Sequence, residues 1–313
     1  MIGQVIQSIK MKPLKQLRER YLSTLKHSDT EETIDLWFYR PVGFMVALMC
    51  EKLHVTPNAI TIFGIFLGIA SGLLIYPDNL LLNLLGMMLL VMADVCDSAD
   101  GQLARMTKSY SRLGRILDGV SSDLWFASIY VCIALRLMPH WGSLIWVLAV
   151  GAAASHALQA AFADHYRQFH LFFVNGKRGS ELDTSEAVAA ELGEVRIADE
   201  PVRKVFLWFY WRYTVLQEKL NPHMTALRAR LDDQQGDEIS DTFRAQMRQA
   251  TLPLMKWTNV LTYNWRAITL FVSILVHRPW LYLICELTVF NLILVYMAYR
   301  HEHICKTILK TKI

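Results

Sequence analysis

The chain runs repeatedly into apolar stretches of roughly 15–20 residues, the length an α-helix needs to cross the hydrocarbon core of a bilayer. "HVTPNAITIFGIFLGIASGLLIY", residues 54–76, opens the first span, with Pro57 at the helix start, where a missing N–H costs nothing. Short polar turns separate the runs that follow: "PDN" at 77–79, "TKSYSR" at 107–112, "PHWGS" at 139–143 and "HRPW" at 277–280. They delimit further spans over about 80–106, 113–137, 142–163, 262–276 and 280–299. With 53% of its 313 residues hydrophobic, the chain is more apolar than a soluble domain of that length. The expected fold class is all-α. It is a polytopic membrane protein of six transmembrane helices, with an N-terminal interfacial amphipathic helix and a cytoplasmic helical insertion.

The polar remainder divides the chain into four parts. In residues 1–55, Lys10, Lys12, Lys15, Arg18, Arg20 and Lys26 alternate with Ile6, Ile9, Leu14, Leu17 and Leu22, the pattern of an amphipathic helix on an anionic membrane surface or of a solvated basic tail. "TIDLWFYRPVGFMVALMCEKL" (33–53) is broken by Arg40-Pro41 and Glu51-Lys52 and reads as interfacial rather than spanning. Residues 56–170 carry the first four spans, 171–260 a charge-mixed helical insertion, and 261–313 the last two spans and a basic tail. The first thirty residues lack the apolar core of a secretory signal, so no cleavable leader is expected. Lys and Arg crowd 1–40, 105–115, 165–260 and 300–313, and by the positive-inside rule both termini and the aspartate-rich stretch at 94–123, the candidate active site, are expected to face the cytoplasm. The net charge of +4 is mild and its basic residues sit beside apolar runs, which argues against a nucleic-acid partner. Five scattered cysteines without a CxxC pair read as unpaired thiols in membrane helices, neither zinc site nor disulfide scaffold.

One stretch contradicts its apolar surroundings: "DVCDSADGQLARMTKSYSRLGRILDGVSSD", residues 94–123. A carboxylate in a membrane helix is costly and marks a functional candidate. Asp94, Asp97 and Asp100 step by three and so line one helix face. Gly101 lets a ligand approach the backbone, and Asp118 on the next helix can face the group across a short hairpin. Several ionised carboxylates in one pocket repel, and a divalent cation removes that repulsion. Oxygen-only ligands point to Mg²⁺ or Mn²⁺, with phosphate or pyrophosphate completing the shell. Arg105, Lys108, Arg112 and Arg115 flank the cluster and can hold such an anion. Three readings stay open at this level: a phosphoryl-transfer enzyme, a cation-coupled transporter built on intramembrane carboxylates, and helix-end aspartates paired with nearby arginines.

The same stretch resembles the signature of the CDP-alcohol phosphotransferase (CDP-alcohol phosphatidyltransferase) family: D-x-x-D-G-x-x-A-R, eight residues, G, three residues, D, three residues, D. Here it runs Asp97, Asp100-Gly101, Ala104-Arg105, Gly114 and Asp118, agreeing at seven of eight fixed positions. "TPNAIT" at 56–61 also resembles the segment that opens this family's first span. The resemblance covers roughly residues 36–170, and an insertion like 175–255 is not a general family feature. It implies a six-helix membrane enzyme, often a homodimer, with a cavity open to the cytoplasm. Such an enzyme moves a phosphate-linked group from a CDP-linked donor to a small alcohol acceptor and releases CMP. The resemblance further implies two divalent ions, Mg²⁺ or Mn²⁺, on the donor's pyrophosphate, with Asp97, Asp100 and Asp118 as their ligands. Gly101, Ala104, Arg105 and Gly114 then border the nucleotide, joined by Asn58 and Thr61. The CDP-linked donor is either CDP-diacylglycerol or a CDP-alcohol, and the basic residues nearby favour CDP-diacylglycerol with a polyol or polyol phosphate as acceptor.

The eighth position departs from the pattern. The family's last aspartate, the base for the acceptor hydroxyl, would fall at Ser122, and Asp123 comes one residue late. On an ideal helix a residue five positions on points about 140° from Asp118, against about 40° for one four positions on. A local π-bulge would restore the direction. Asp123 is the candidate catalytic base and Asp94, one turn before Asp97, the alternative. Elsewhere, His156, Gln159, Asp164, His165, Tyr166 and Arg167 form a polar series that suits either an acceptor pocket or an interfacial helix end. Trp208 to Trp211 suit an aromatic belt, and Arg266 and Glu286 suit an ion pair.

Overall fold

The structure is a computed structural model that describes residues 15–175, 182–196, 199–233 and 240–310. The expected amphipathic positions Ile6, Ile9, Lys10, Lys12 and Leu14 lie outside the described residues. Every regular element among the described residues is helical. A short helix, α1 (15–23), is followed by a π-helical turn, Asp35–Tyr39, that runs into α2 (Arg40–Lys52). Then come α3 (Pro57–Ile75), α4 (Leu80–Thr107), α5 (Arg112–Trp141) and α6 (Leu144–Asn175). The insertion forms α7 (Ser185–Glu194), α8 (Pro201–Leu220), α9 (Pro222–Asp233) and α10 (Asp241–Val260). The chain closes with α11 (Tyr263–Leu275), α12 (Trp280–Cys285), a π-helical turn Glu286–Phe290, and α13 (Asn291–Lys310).

Five stretches among the described residues are long and apolar enough to span a membrane: Pro57–Ile75, Leu80–Thr107, Leu117–Trp141, Leu144–Asn175 and Trp280–Lys310. The chain is therefore an integral, multi-pass membrane protein. The expected span over 262–276 is the 13-residue α11, about 20 Å long at 1.5 Å per residue. That is shorter than a hydrocarbon core of about 30 Å.

The helix ends follow local chemistry. Thr56 accepts from the backbone N–H of Ala59 with Pro57 in the first turn, Asn79 accepts from Leu82, and Ser111 accepts from Gly114. Lys108 ends α4 in the left-handed region, at φ 54°. In the α3–α4 turn, Asn83 Nδ2 donates to the carbonyls of Leu74 and Pro77, each at 2.9 Å, while Arg136 of α5 donates to Asn83 Oδ1 at 2.9 Å.

The chain divides into two compact units. The first comprises the chain up to Ser155 together with Tyr263–Leu287. Its core gathers Leu90 and Ala93 of α4, Trp125, Phe126 and Ile129 of α5, and Leu270 and Tyr282 from the last helices. Gly64, Gly68 and Gly72 form a small-residue stripe on α3. A Cβ at Gly68 would run into the Trp125 indole, and one at Gly72 into Ser128, so these helices approach only because the stripe has no side chains. Arg266 and Glu286 form an ion pair at 2.6 Å, with side chains 1% and 0% exposed.

The second unit comprises His156–Thr262 and Thr288–Ile313. Phe162, Phe169, Leu227, Met247 and Met297 form its core. His301 is buried and stacks on Tyr166 at 4.3 Å, and Tyr166 donates to Asn221 at 3.0 Å. Glu302 caps α9 by accepting from the backbone N–H groups of His223 and Met224 at 2.9 and 3.0 Å. The aromatic run of the insertion lies on α8, where Trp208 and Phe209 are exposed.

Candidate active site at the aspartate motif

Two helices carry the motif. Asp97, Asp100, Gly101, Ala104 and Arg105 stand on α4, Gly114 and Asp118 on α5, and all of them line one cavity of about 170 Å³ in the first unit. Asn58 and Thr61, from the start of α3, line it too. The structure thus brings together every residue expected at the metal and nucleotide positions. Asp100 is 4% exposed, and its Oδ2 accepts a hydrogen bond of 2.5 Å from Thr61. Ser121 donates to Asp97 Oδ1 at 3.4 Å. Asp118 is exposed.

Position 114 is closely approached by two side chains. A Cβ there would stand 2.7 Å from Asn58 Oδ1 and 2.9 Å from Ser111 Oγ. Ser111 holds the corner by donating to Asn58 Oδ1 at 3.2 Å while accepting from the Gly114 N–H at 2.8 Å. Arg105 Nε donates to the Thr24 carbonyl at 2.7 Å. Its Nη2 is buried with no partner among the described residues, a donor left over for an anion. Of the other flanking cations, Lys108 is exposed at the end of α4, and the side chains of Arg112 and Arg115 lie outside what the structure describes.

Asp123 is not brought to this cavity. The helix α5 runs without a π-bulge through 118–123, so a residue five positions after Asp118 faces elsewhere. Asp123 is exposed and lies within the field of Arg266. Asp94, the alternative base, does not line the cavity either. It lies near Tyr39, whose hydroxyl pKa is pushed up by burial first and by the Asp94 charge second. The polar series of 156–167 belongs to the second unit. There Gln159 donates to Asn291 at 2.9 Å and Arg167 to Asn259 at 3.3 Å, so these side chains have structural partners.

Two lining residues, Lys26 and Arg40, come from the segment before α3, outside the motif altogether. Arg40 is 8% exposed, donates to Glu31 at 3.1 Å and to Ser98 at 3.4 Å, and accepts through its carbonyl from Gln102 at 3.0 Å. Its burial beside the motif helix could be suspected only from an arginine sitting inside an otherwise apolar run.

The donor chemistry suits a hard divalent cation. Three carboxylates from two helices, with hydroxyls beside them, line one cavity that contains no His or Cys. Among the described residues, no three acidic, His or Cys side chains already converge on a single ion-sized point.

Residues 54–175 match the CDP-alcohol phosphatidyltransferase family. They make up a CDP-alcohol phosphatidyltransferase domain. An archaetidylinositol phosphate synthase of Pyrococcus horikoshii is 34% identical over 90 residues, covering 29% of this chain and 46% of the relative. A phosphatidylinositol phosphate synthase of Cutibacterium acnes is 26% identical over 111 residues, covering 36% and 53%. An uncharacterized protein of Aquifex aeolicus is 40% identical over 67 residues, covering 21% and 33%. The chain thus spans between a third and about half the length of these curated relatives. The transporter reading finds no counterpart among these matches. The phosphatidyltransferase domain begins just before Thr56 and ends with α6, so it contains the whole motif and leaves Lys26 and Arg40 outside.

Proposed function

We propose that this chain is a membrane phosphotransferase of phospholipid synthesis. It moves a phosphatidyl group from CDP-diacylglycerol to the hydroxyl of a polyol or polyol phosphate and releases CMP. The observation that carries this reading is the common cavity of Asp97, Asp100, Asp118 and Arg105 inside the phosphatidyltransferase domain. Two relatives are named as synthases of inositol phosphate lipids, which makes an inositol phosphate the first acceptor to try.

In the reaction, the acceptor oxygen attacks the phosphorus of the phosphatidyl phosphate. The bond from that phosphorus to the oxygen of CMP breaks, CMP leaves with the bonding electron pair, and the hydroxyl proton passes to solvent. Asp97, Asp100 and Asp118 would hold two Mg²⁺ or Mn²⁺ ions, which supply neutralisation of the diphosphate and of the departing oxygen. Thr61 orients the Asp100 carboxylate, and Arg105 presents its spare N–H to an anion. Asn58, held by Ser111 against Gly114, borders the nucleotide. The distribution of Lys and Arg supports a cavity and termini facing the cytoplasm, and a homodimer is the assembly to test by mass measurement in detergent.

The deciding experiment incubates purified protein with CDP-diacylglycerol, Mg²⁺ or Mn²⁺ and a panel of alcohols. Acceptor-dependent release of CMP, abolished by a chelator, is expected. Absence of CMP with every CDP-linked donor and every acceptor sinks the reading.

A further inference from the structure

The cavity that holds the motif aspartates is not built by the phosphatidyltransferase domain alone. Lys26 and Arg40 both precede residue 54, where the match begins, yet both line it. Their segment is fastened beside α4 at several points. The motif residue Arg105 donates to the Thr24 carbonyl at 2.7 Å. The Tyr21 ring packs edge-on against Phe44 with centroids 5.2 Å apart. The backbone N–H of Lys26 donates to Glu31 Oε1 at 2.9 Å, and Glu31 Oε2 accepts from Arg40 at 3.1 Å. Gln102 of α4 closes the chain of contacts on the Arg40 carbonyl.

The effect is to bring two cations of sequence-distant origin to the carboxylates. The charges of both Lys26 and Arg40 reach Asp97. An alkyl chain or a neutral hydroxyl gains nothing from such cations, whereas a phosphoryl group gains charge-assisted hydrogen bonds. Arg40 is committed to Glu31, whose side chain is 2% exposed, so it acts as a fixed background charge. Lys26 is exposed where it lines the cavity.

We propose that residues 20–40 form a strap that completes the catalytic cavity, and that Lys26 with Arg40 makes an anion subsite for a phosphoryl group of the substrates. This rests on the phosphotransferase reading of the cavity. Two sources share that chemistry: the diphosphate of the CDP-linked donor, and a phosphate carried by the acceptor alcohol.

The test uses full-length protein in detergent with Mg²⁺, as wild type, Lys26→Gln and Lys26→Arg. Dissociation constants are measured calorimetrically for CDP, inositol 1-phosphate, inorganic phosphate and uncharged myo-inositol. Lys26→Gln is expected to weaken at least one phosphate-bearing probe by about tenfold, the scale of a lost charged hydrogen bond, with Lys26→Arg within about twofold of wild type. Binding of myo-inositol stays unchanged. Loss confined to CDP assigns the subsite to the donor, and loss confined to inositol 1-phosphate assigns it to the acceptor. Equal affinities for all probes in wild type and Lys26→Gln overturn the proposal, as does a wild type that binds none of the anions. CMP release is read separately. A wild type that binds these anions through Lys26 but turns over no CDP-linked donor removes the phosphotransferase reading and leaves the subsite standing.

Discussion

Thr61 of α3 gives its hydroxyl hydrogen to Oδ2 of Asp100 on α4 at 2.5 Å, and each residue is only 4% exposed. The Pro57 carbonyl, 3.1 Å from the same hydroxyl, competes for that hydrogen at longer range. The bond fixes one motif carboxylate from a second helix. Thr61→Val keeps the shape and removes the donor. A hydrogen bond to a charged group is worth about 1.5–3 kcal/mol, so CMP release is expected to fall by about tenfold or more. Thr61→Ser is expected to keep most of the activity. Equal rates for Val and wild type would show that Asp100 is oriented by other means.

The motif carboxylates and Asp123 make opposite predictions. Asp97, Asp100 and Asp118 share a cavity, whereas Asp123 does not line it. Conversion of any of the first three to Asn is expected to lower CMP release by about a hundredfold, the scale on which losing a metal ligand is felt. Asp123→Asn is expected to stay within about twofold of wild type. Initial rates over an Mg²⁺ titration check both. A deficit for Asp123→Asn as deep as that for Asp118→Asn would return Asp123 to the chemistry.

These contrasts show which features were legible in the sequence. Apolar run length and fixed motif spacing are local properties, so α3 to α6 and the cluster from Asp97 to Asp118 could be read directly. The direction of Asp123 depended on whether α5 held a bulge, which spacing alone does not decide. Among the described residues, the π-helical turns lie instead at Asp35–Tyr39 and Glu286–Phe290. Lys26 and Arg40 could not be tied to the motif, because no periodicity links residues so far apart in the chain. The role of the α3 glycines was not read from the sequence, because only packing reveals that the Trp125 indole occupies the space beside Gly68.

That packing carries its own prediction. Trp125 is 1% exposed, so its ring has little room to retreat from a Cβ at position 68. Gly68→Ala is expected to destabilise the first unit by about 1–3 kcal/mol, the usual range for overpacking, with a larger loss for Gly68→Leu. Thermal unfolding in detergent, followed by aggregation or tryptophan emission, measures it. A Gly119→Ala control, where an added Cβ meets nothing within 4 Å, is expected to melt like wild type.

Gly114 is crowded differently, and the outcome should differ too. The atoms in the way are the ends of the Asn58 and Ser111 side chains, which can swing aside. Gly114→Ala is therefore expected to leave the melting temperature nearly unchanged while displacing Asn58 from the cavity wall. The Kd for CDP is expected to rise by about tenfold, the scale of a lost hydrogen bond to a charged ligand. An unchanged Kd would mean that Asn58 does not border the nucleotide.

The Arg266–Glu286 pair tests whether an intramembrane charge pair here is structural. Its partners meet at 2.6 Å with almost no exposure, so neither charge can be solvated if the other is removed. Breaking such a pair costs about 3–5 kcal/mol, while replacing both partners by apolar residues of similar volume is often close to neutral. Arg266→Met is expected to lower thermal stability markedly, and Arg266→Met with Glu286→Leu to recover much of it. CMP release per folded molecule is expected to be the same in the double variant and wild type, since neither residue lines the cavity of the aspartate motif. A stable double variant with no turnover would instead give this pair a part in the reaction.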